Sequence, residues 1–281
     1  MRRWLFFFTL LLPIVAGCRS LPPMSVAEEI KLPLAMKLPQ AHTLRAGQLV
    51  FHSDFELPPD HRLIRELTLE RDDVYGTLGL QGGSEPIDVY LFRDAQRYGE
   101  FLKRDFPNVP TRRAFFLETD TRLSVYAHWS DRVAEDLRHE VAHGYLHSVV
   151  PQVPLWLDEG LAEYFEVPRG QGGLNRPHVD LLWDMATQEH WHPNMKRLEK
   201  LTDAAQMDQR DYAESWAWVY FLLNSPPERR QILTDYLAEL RARGASEPLS
   251  VRLAALHVEP QQPMAAYIAS LKQTPDGAMT R

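Results

Sequence analysis

The chain has 281 residues, a formal net charge of −7 and 44% hydrophobic residues. Length and apolar fraction suit one globular domain or two closely packed subdomains. The basic residues are scattered, which argues against a nucleic-acid partner. Cys18 is the single cysteine, which excludes a disulfide framework, thiol catalysis and cysteine-ligated zinc in the body of the protein.

The amino terminus reads MRRWLFFFTLLLPIVAGC. Arg2 and Arg3 precede an uncharged apolar run, Trp4 to Ala16, that is short for a membrane span of roughly 20 residues but suits a signal core. The run closes on Val15-Ala16-Gly17-Cys18, which resembles a bacterial lipobox, with Cys18 as the lipidated residue. The alternatives are a plain secretory signal or an uncleaved anchor. Arg19, not an aspartate, follows the cysteine, which in lipoproteins of double-membrane bacteria leans towards the outer membrane. The expected location is the cell envelope, facing the periplasm. Residues 19–42 carry Pro22, Pro23, Pro33 and Pro39 with no clean period and read as a tether.

From Gln48 the pattern tightens. QLVFHSDF alternates as a strand does. PPDHRLIRELTLERDDVYGTLGL opens on proline and carries apolar residues at helical spacing. Gln81-Gly82-Gly83-Ser84 is a loop, and Ile87 to Phe92 a strand. DAQRYGEFLKRDF opens on an Asp cap and predicts a helix stopped by Pro107 and Pro110. RRAFFLET and RLSVYAHW predict an antiparallel pair around the Asp120-Thr121 turn. Ser130-Asp131 caps a long helix to about Ser148, and after Pro151 and Pro154 a second helix runs from Leu155 to Phe165. Further helices are expected over 178–189, 209–224, 227–243, 246–257 and 263–272. A small mixed sheet with helices over 43–129, followed by a helical part over 130–281, is an α+β domain.

The stretch LRHEVAHGYLH carries the chemistry. On a helix, His139 and His143 are four apart and project from one face, a spacing at which two imidazoles hold one zinc ion. Glu140 is angled off that stripe and reaches a zinc-bound water as general base. A catalytic zinc takes a third protein ligand and keeps a fourth position open. The metzincin position for that ligand, six residues after His143, is Val149, so that class fails. His147 lies one more turn along, where a straight helix diverges from the ion, and reads as a surface or packing histidine. The better candidate is Glu159 in PLWLDEGLAEYFE. Glu163, one turn later, would accept a hydrogen bond from a ligand histidine, with Asp158 as the alternative for that role. A polar helix face explains the two histidines without a metal, but not the acidic second helix after a proline break.

HEVAH followed by WLDEGLAEYF resembles the gluzincins, zinc peptidases with a glutamate as third ligand; Asp158 stands where the usual motif has asparagine, and fifteen residues separate His143 from Glu159. Together with FHSDF, IDVYLF, RRAFF, VYAHW and YAESWAWVYFLL, the chain is similar over about 48–225 to a family of uncharacterised bacterial proteins, DUF1570. The resemblance implies a zincin-like fold, an oxyanion-stabilising tyrosine or histidine downstream, and a substrate laid along an edge strand ahead of the metal helix. Tyr212 matches the oxyanion-stabilising residue, or simply packs at a helix start. Arg122 to Trp129 matches the edge strand that carries the substrate, as β-augmentation. The leading expectation is a zinc-dependent peptidase acting on a peptide or protein substrate. The others are a non-catalytic envelope binding module and a zinc amidase for peptidoglycan peptides.

Overall fold

A computed structural model describes residues 38–107, 112–224, 226–256 and 261–273. The signal-like leader, Cys18 and the tether up to residue 37 lie outside the described residues.

The fold is α+β. Five strands form one mixed sheet: β1 (His42–Ala46), β2 (Leu49–Ser53), β3 (Ile87–Phe92), β4 (Ala114–Glu118) and β5 (Leu123–His128), in the order β1-β2-β3-β5-β4. β2, β3 and β5 run parallel, and the outer strands pair antiparallel to their neighbours. β3 and β5 are buried almost throughout, as central strands covered on both faces must be, and β1 is largely exposed. β1 starts at His42, the last residue assigned to the tether, and turns into β2 at Gly47, whose φ of 62° suits glycine.

The placement of the substrate strand is corrected here. β5 lies between β3 and β4, so both its edges are used. The sheet edge next to it belongs to β4. Thr119 N–H donates to Arg122 O and His128 N–H to Arg113 O, which makes 113/128 and 119/122 hydrogen-bonded pairs. By alternation, Ala114, Phe116 and Glu118 are non-hydrogen-bonded partners of β5, and their own backbone groups point away from the sheet.

Helix α1 (Arg62–Leu78) and helix α3 (Val133–His147) pack together against one face. Helix α2 (Ala95–Asp105) covers the other, where Tyr90, Phe92, Tyr98, Phe101, Phe106, Phe115 and Tyr126 form an aromatic layer. Asp94 caps α2 by accepting from Arg97 N–H. α3 sits close on the sheet at Gly144, where a Cβ would come 3.0 Å from the Ile87 side chain.

Helix α4 (Leu155–Phe165) follows a reversal at Pro151–Pro154 in which Gln152 takes a left-handed φ of 65°. It lies between α3 and α7 (Gln209–Leu223). α4 and α7 approach so closely at Gly160 that a Cβ there would stand 2.5 Å from Ser215 O, a contact only glycine permits. α7 is buried from Asp211 to Leu223 and is surrounded by α5 (Arg176–Gln188), the short α6 (Met195–Leu198), α8 (Pro227–Arg243) and α10 (Gln261–Gln273), with α9 (Leu249–Leu256) against α8. Asp208 and Asp211 form a reciprocal capping box at its start. α6, four residues long, is too short to show a helical period in the sequence.

Glu70 on α1 is an anomaly in this core. It is 2% exposed, and neither carboxylate oxygen has a hydrogen-bond partner. Burial holds its pKa well above the usual carboxylate range, with Arg138 opposing. A carboxyl that keeps its proton in the fold, and would lose it near pH 4.5 in the unfolded chain, costs stability as pH rises through that window. The variant Glu70→Met is therefore expected to be more stable than wild type by about 1–3 kcal/mol near pH 7.5, with the gain shrinking towards pH 4.5. Thermal unfolding across pH 4.5–8 checks this; a pH-independent difference, or destabilisation throughout, would contradict it.

Candidate metal centre

His139 and His143 lie on successive turns of α3, and Glu159 faces them from the first half of α4. All three are at most 1% exposed. His139 Nε2 and His143 Nε2 are 3.3 Å apart, and Glu159 Oε2 lies 3.6 Å from the first and 3.8 Å from the second. A tetrahedral ion with arms of about 2.0–2.1 Å needs ligand atoms about 3.3–3.4 Å apart. The three atoms form such a triangle to within a few tenths of an ångström.

The remaining nitrogens explain why these atoms face each other. His139 Nδ1 bonds Glu166 Oε2 at 3.1 Å, and His143 Nδ1 bonds Asp158 Oδ1 at 2.8 Å. A carboxylate accepts only, so each Nδ1 carries the hydrogen and donates, which leaves both Nε2 lone pairs directed inwards in the neutral rings. Neither oxygen of Glu159 has a hydrogen-bond partner, although the residue is fully buried. A buried carboxylate that faces two imidazole nitrogens 3.6 and 3.8 Å away, with no hydrogen bond of its own, fits a bound cation.

Among the described residues, three overlapping sets of side chains could hold a metal ion: His139/His143/Glu159, His143/His147/Asp158 and His139/Glu163/Glu166, each with ligand atoms within 4.8 Å of one another. In the second and third, ordinary hydrogen bonds already engage the ligand atoms. Only in the first does the carboxylate lack any other partner.

Burial governs the charges. It raises Glu159 to about 8, opposed by His139, and raises Glu140 to about 7, opposed by His139 and Arg112. His143 is lowered to about 4 by burial, against the pull of Asp158. For His139, burial acts downward but the carboxylates of Glu159 and Glu166 outweigh it. Burial also acts to raise Asp158, yet His147 and His143 hold it down to about 2.

Glu140 is fully buried, and the backbone N–H of Phe116 donates to it. That N–H points out from the edge of β4, so Glu140 stands against the sheet edge. Tyr212, in the first turn of α7, is buried with a hydroxyl that has no hydrogen-bond partner, and the charges of Glu159, Glu163 and Glu140 help raise its pKa.

Glu163 differs from its expected place. Its Oε2 bonds His178 Nε2 of α5 at 2.7 Å, and the acceptor for His139 is Glu166. Seven residues make almost two whole turns, so Glu166 returns to the stripe of Glu159, whereas Glu163 is rotated towards α5. Glu166 is fixed from the far side by Asn175 Nδ2 at 3.1 Å. Asp158 occupies the alternative role, against His143. His147 is not a surface histidine: it is 4% exposed, with Nε2 2.6 Å from Asp158 Oδ2 and Nδ1 2.8 Å from Glu118 Oε2. Two carboxylate partners outweigh the cost of burial and raise it to about 10.

Glu166 was legible in principle, since 159, 163 and 166 follow helical spacing. Arg112 was not, because nothing in its local sequence marks it. It is 6% exposed and precedes β4; burial lowers its pKa, while Glu140, Tyr98, Tyr212 and Glu159 oppose that effect.

The fold and the cluster define an α+β protein with a buried two-histidine, one-glutamate centre. The family model described as "Protein of unknown function (DUF1570)" matches residues 133–249, from the start of α3 to the first residue of α9. The match spans all of these histidines and the three acidic residues of α4, Asp158, Glu159 and Glu163, and leaves out the sheet that the sequence resemblance over 48–225 includes. No curated protein matches the chain.

Proposed function

We propose that the protein is a zinc-dependent peptide-bond hydrolase of gluzincin type. One observation supports this above the others: His139, His143 and Glu159 converge with the separations of a tetrahedral site, and a second carboxylate, Glu140, stands beside them outside the ligand set. Three protein ligands of this kind are the catalytic pattern, whereas structural zinc sites are usually closed by four.

Zinc bound there would lower the pKa of its water towards neutrality and polarise the scissile carbonyl. Glu140 would serve as the general base for the attacking water and return the proton to the leaving amine, a task suited to a carboxylate raised to about 7. Tyr212 donates its unpartnered hydroxyl to the oxyanion. An extended substrate adds to the edge of β4 through the outward backbone groups of Ala114 and Glu118, which flank the Phe116 N–H already taken by Glu140. The cluster is closed to solvent, so the site opens before a peptide enters.

That closure also favours a second reading, a non-catalytic module whose metal only holds α3 to α4. The two readings part on one experiment. The full chain is incubated with a broad peptide library, with and without a chelator. Metal-dependent cleavage supports the hydrolase; a zinc-loaded chain that cleaves nothing supports the module.

With the lipobox-like VAGC at Cys18, we place the protein in the bacterial envelope, tethered by lipid. Among the described residues no helix is long and apolar enough to cross a membrane.

A further inference from the structure

The side chains behind the cluster form a chain that no ligand role explains. From His143 Nδ1 it runs 2.8 Å to Asp158 Oδ1, from Asp158 Oδ2 2.6 Å to His147 Nε2, and from His147 Nδ1 2.8 Å to Glu118 Oε2. It starts on α3, crosses to α4, returns to α3 and ends on β4, the edge strand. The His143, Asp158 and His147 side chains are fully buried, and Glu118 is partly exposed.

We propose that His147 is a positioning residue of the metal centre, which anchored by Glu118 holds Asp158 in the one orientation that fixes the ring of His143. The proposal rests on the reading of His139, His143 and Glu159 as ligands.

A carboxylate that meets one imidazole alone is free to swing about its χ2 bond. Asp158 meets two, one through each oxygen, and the second removes that freedom. His147 in turn cannot rotate, because its far nitrogen is held by Glu118. Phe116, two residues earlier on the same face of β4, packs its ring against both His143 and His147 at centroid distances of 6.0 and 5.3 Å. The same strand therefore wedges the two rings and anchors the end of the chain. Such partners of ligand histidines set ring orientation and basicity, and losing one typically costs about 10–100-fold in metal affinity.

The competing assignment is that His143, His147 and Asp158 hold a second ion. Their contacts of 2.8 and 2.6 Å are hydrogen-bond lengths, and Asp158 would have to release both imidazoles.

The test uses the full chain and zinc itself, titrated against a chromophoric chelator. His147→Leu removes both donors. It is expected to weaken zinc binding about 10–100-fold and leave one zinc per chain, with a perturbed visible spectrum when cobalt(II) replaces zinc. In an Asp158→Asn background the same substitution is expected to add little, because His147 acts through Asp158. His147→Gln, which retains a donor, recovers part of the affinity. Should the leucine variant misfold, Glu118→Gln at the partly exposed end carries the test, with a smaller expected loss. Wild-type affinity in the variants, or full additivity with Asp158→Asn, overturns the proposal. Two zinc ions per chain, one lost with His147, makes it a ligand instead and also overturns it. A wild-type chain that binds no zinc removes the metal centre itself, an outcome distinct from unchanged affinity in the variants.

Discussion

Replacing Glu140 by glutamine is expected to lower peptide hydrolysis by about 10²–10⁴-fold while zinc affinity stays within a few-fold of wild type. The two readouts separate because Glu140 stands outside the ligand triangle of His139, His143 and Glu159. Glutamine is isosteric, and its carbonyl oxygen still accepts the hydrogen bond that Phe116 N–H donates, so the contact between α3 and β4 survives. What is lost is basicity. Burial raises Glu140 to about 7, opposed by His139 and Arg112, and a bound cation adds to that opposition. The wild-type rate should therefore fall as pH drops below the base's pKa, since a protonated Glu140 cannot accept a proton from water. The residual activity of Glu140→Gln should lack that acid limb. Rates on a cleavable peptide from pH 5 to 8, with zinc content measured on the same samples, check both points. Wild-type cleavage by the variant would remove Glu140 from the chemistry.

Much of this molecule is written in local pattern. The helix over Leu155–Phe165 and the helix over 227–243 follow from proline boundaries and apolar spacing, and the structure has them at those bounds. The hairpin of β4 and β5 follows from alternation around Asp120-Thr121. Sheet order is different in kind. Nothing within Arg122–Trp129 reveals that β5 is inserted between β3 and β4, because strand order is set by packing of α1, α2 and α3 on the two faces. The cluster shows the same division. The spacing of His139 and His143 is local, and so is the stripe 159/163/166. The choice of Glu166 over Glu163 as partner of His139 depends on His178 approaching from α5, a contact across fifteen residues. The burial of His147 depends on Glu118, which is twenty-nine residues away and belongs to a strand.

Removing zinc is expected to destabilise the protein by about 4 kcal/mol relative to a thousandfold excess of zinc over its dissociation constant, or about 8–16 °C in melting temperature for a chain of this size. The cause is the site itself. Glu159 is buried with neither oxygen hydrogen-bonded, and the Nε2 atoms of His139 and His143 face it. Without the cation this geometry requires a proton: burial raises Glu159 to about 8. Holding a proton that the unfolded chain gives up near pH 4.5 costs the metal-free fold stability as pH rises from 4.5 to 8. The metal-loaded fold carries no such proton, so the gap between loaded and chelated protein should widen over that window. His143→Ala should abolish the gap by losing the metal. Glu159→Gln separates the causes: it should also lose the zinc response, yet its metal-free form should be more stable than metal-free wild type at pH 8, since no buried carboxyl remains to titrate. A melting temperature indifferent to chelator and to zinc from pH 5 to 8 would mean that the three side chains converge for some other reason than a metal ion.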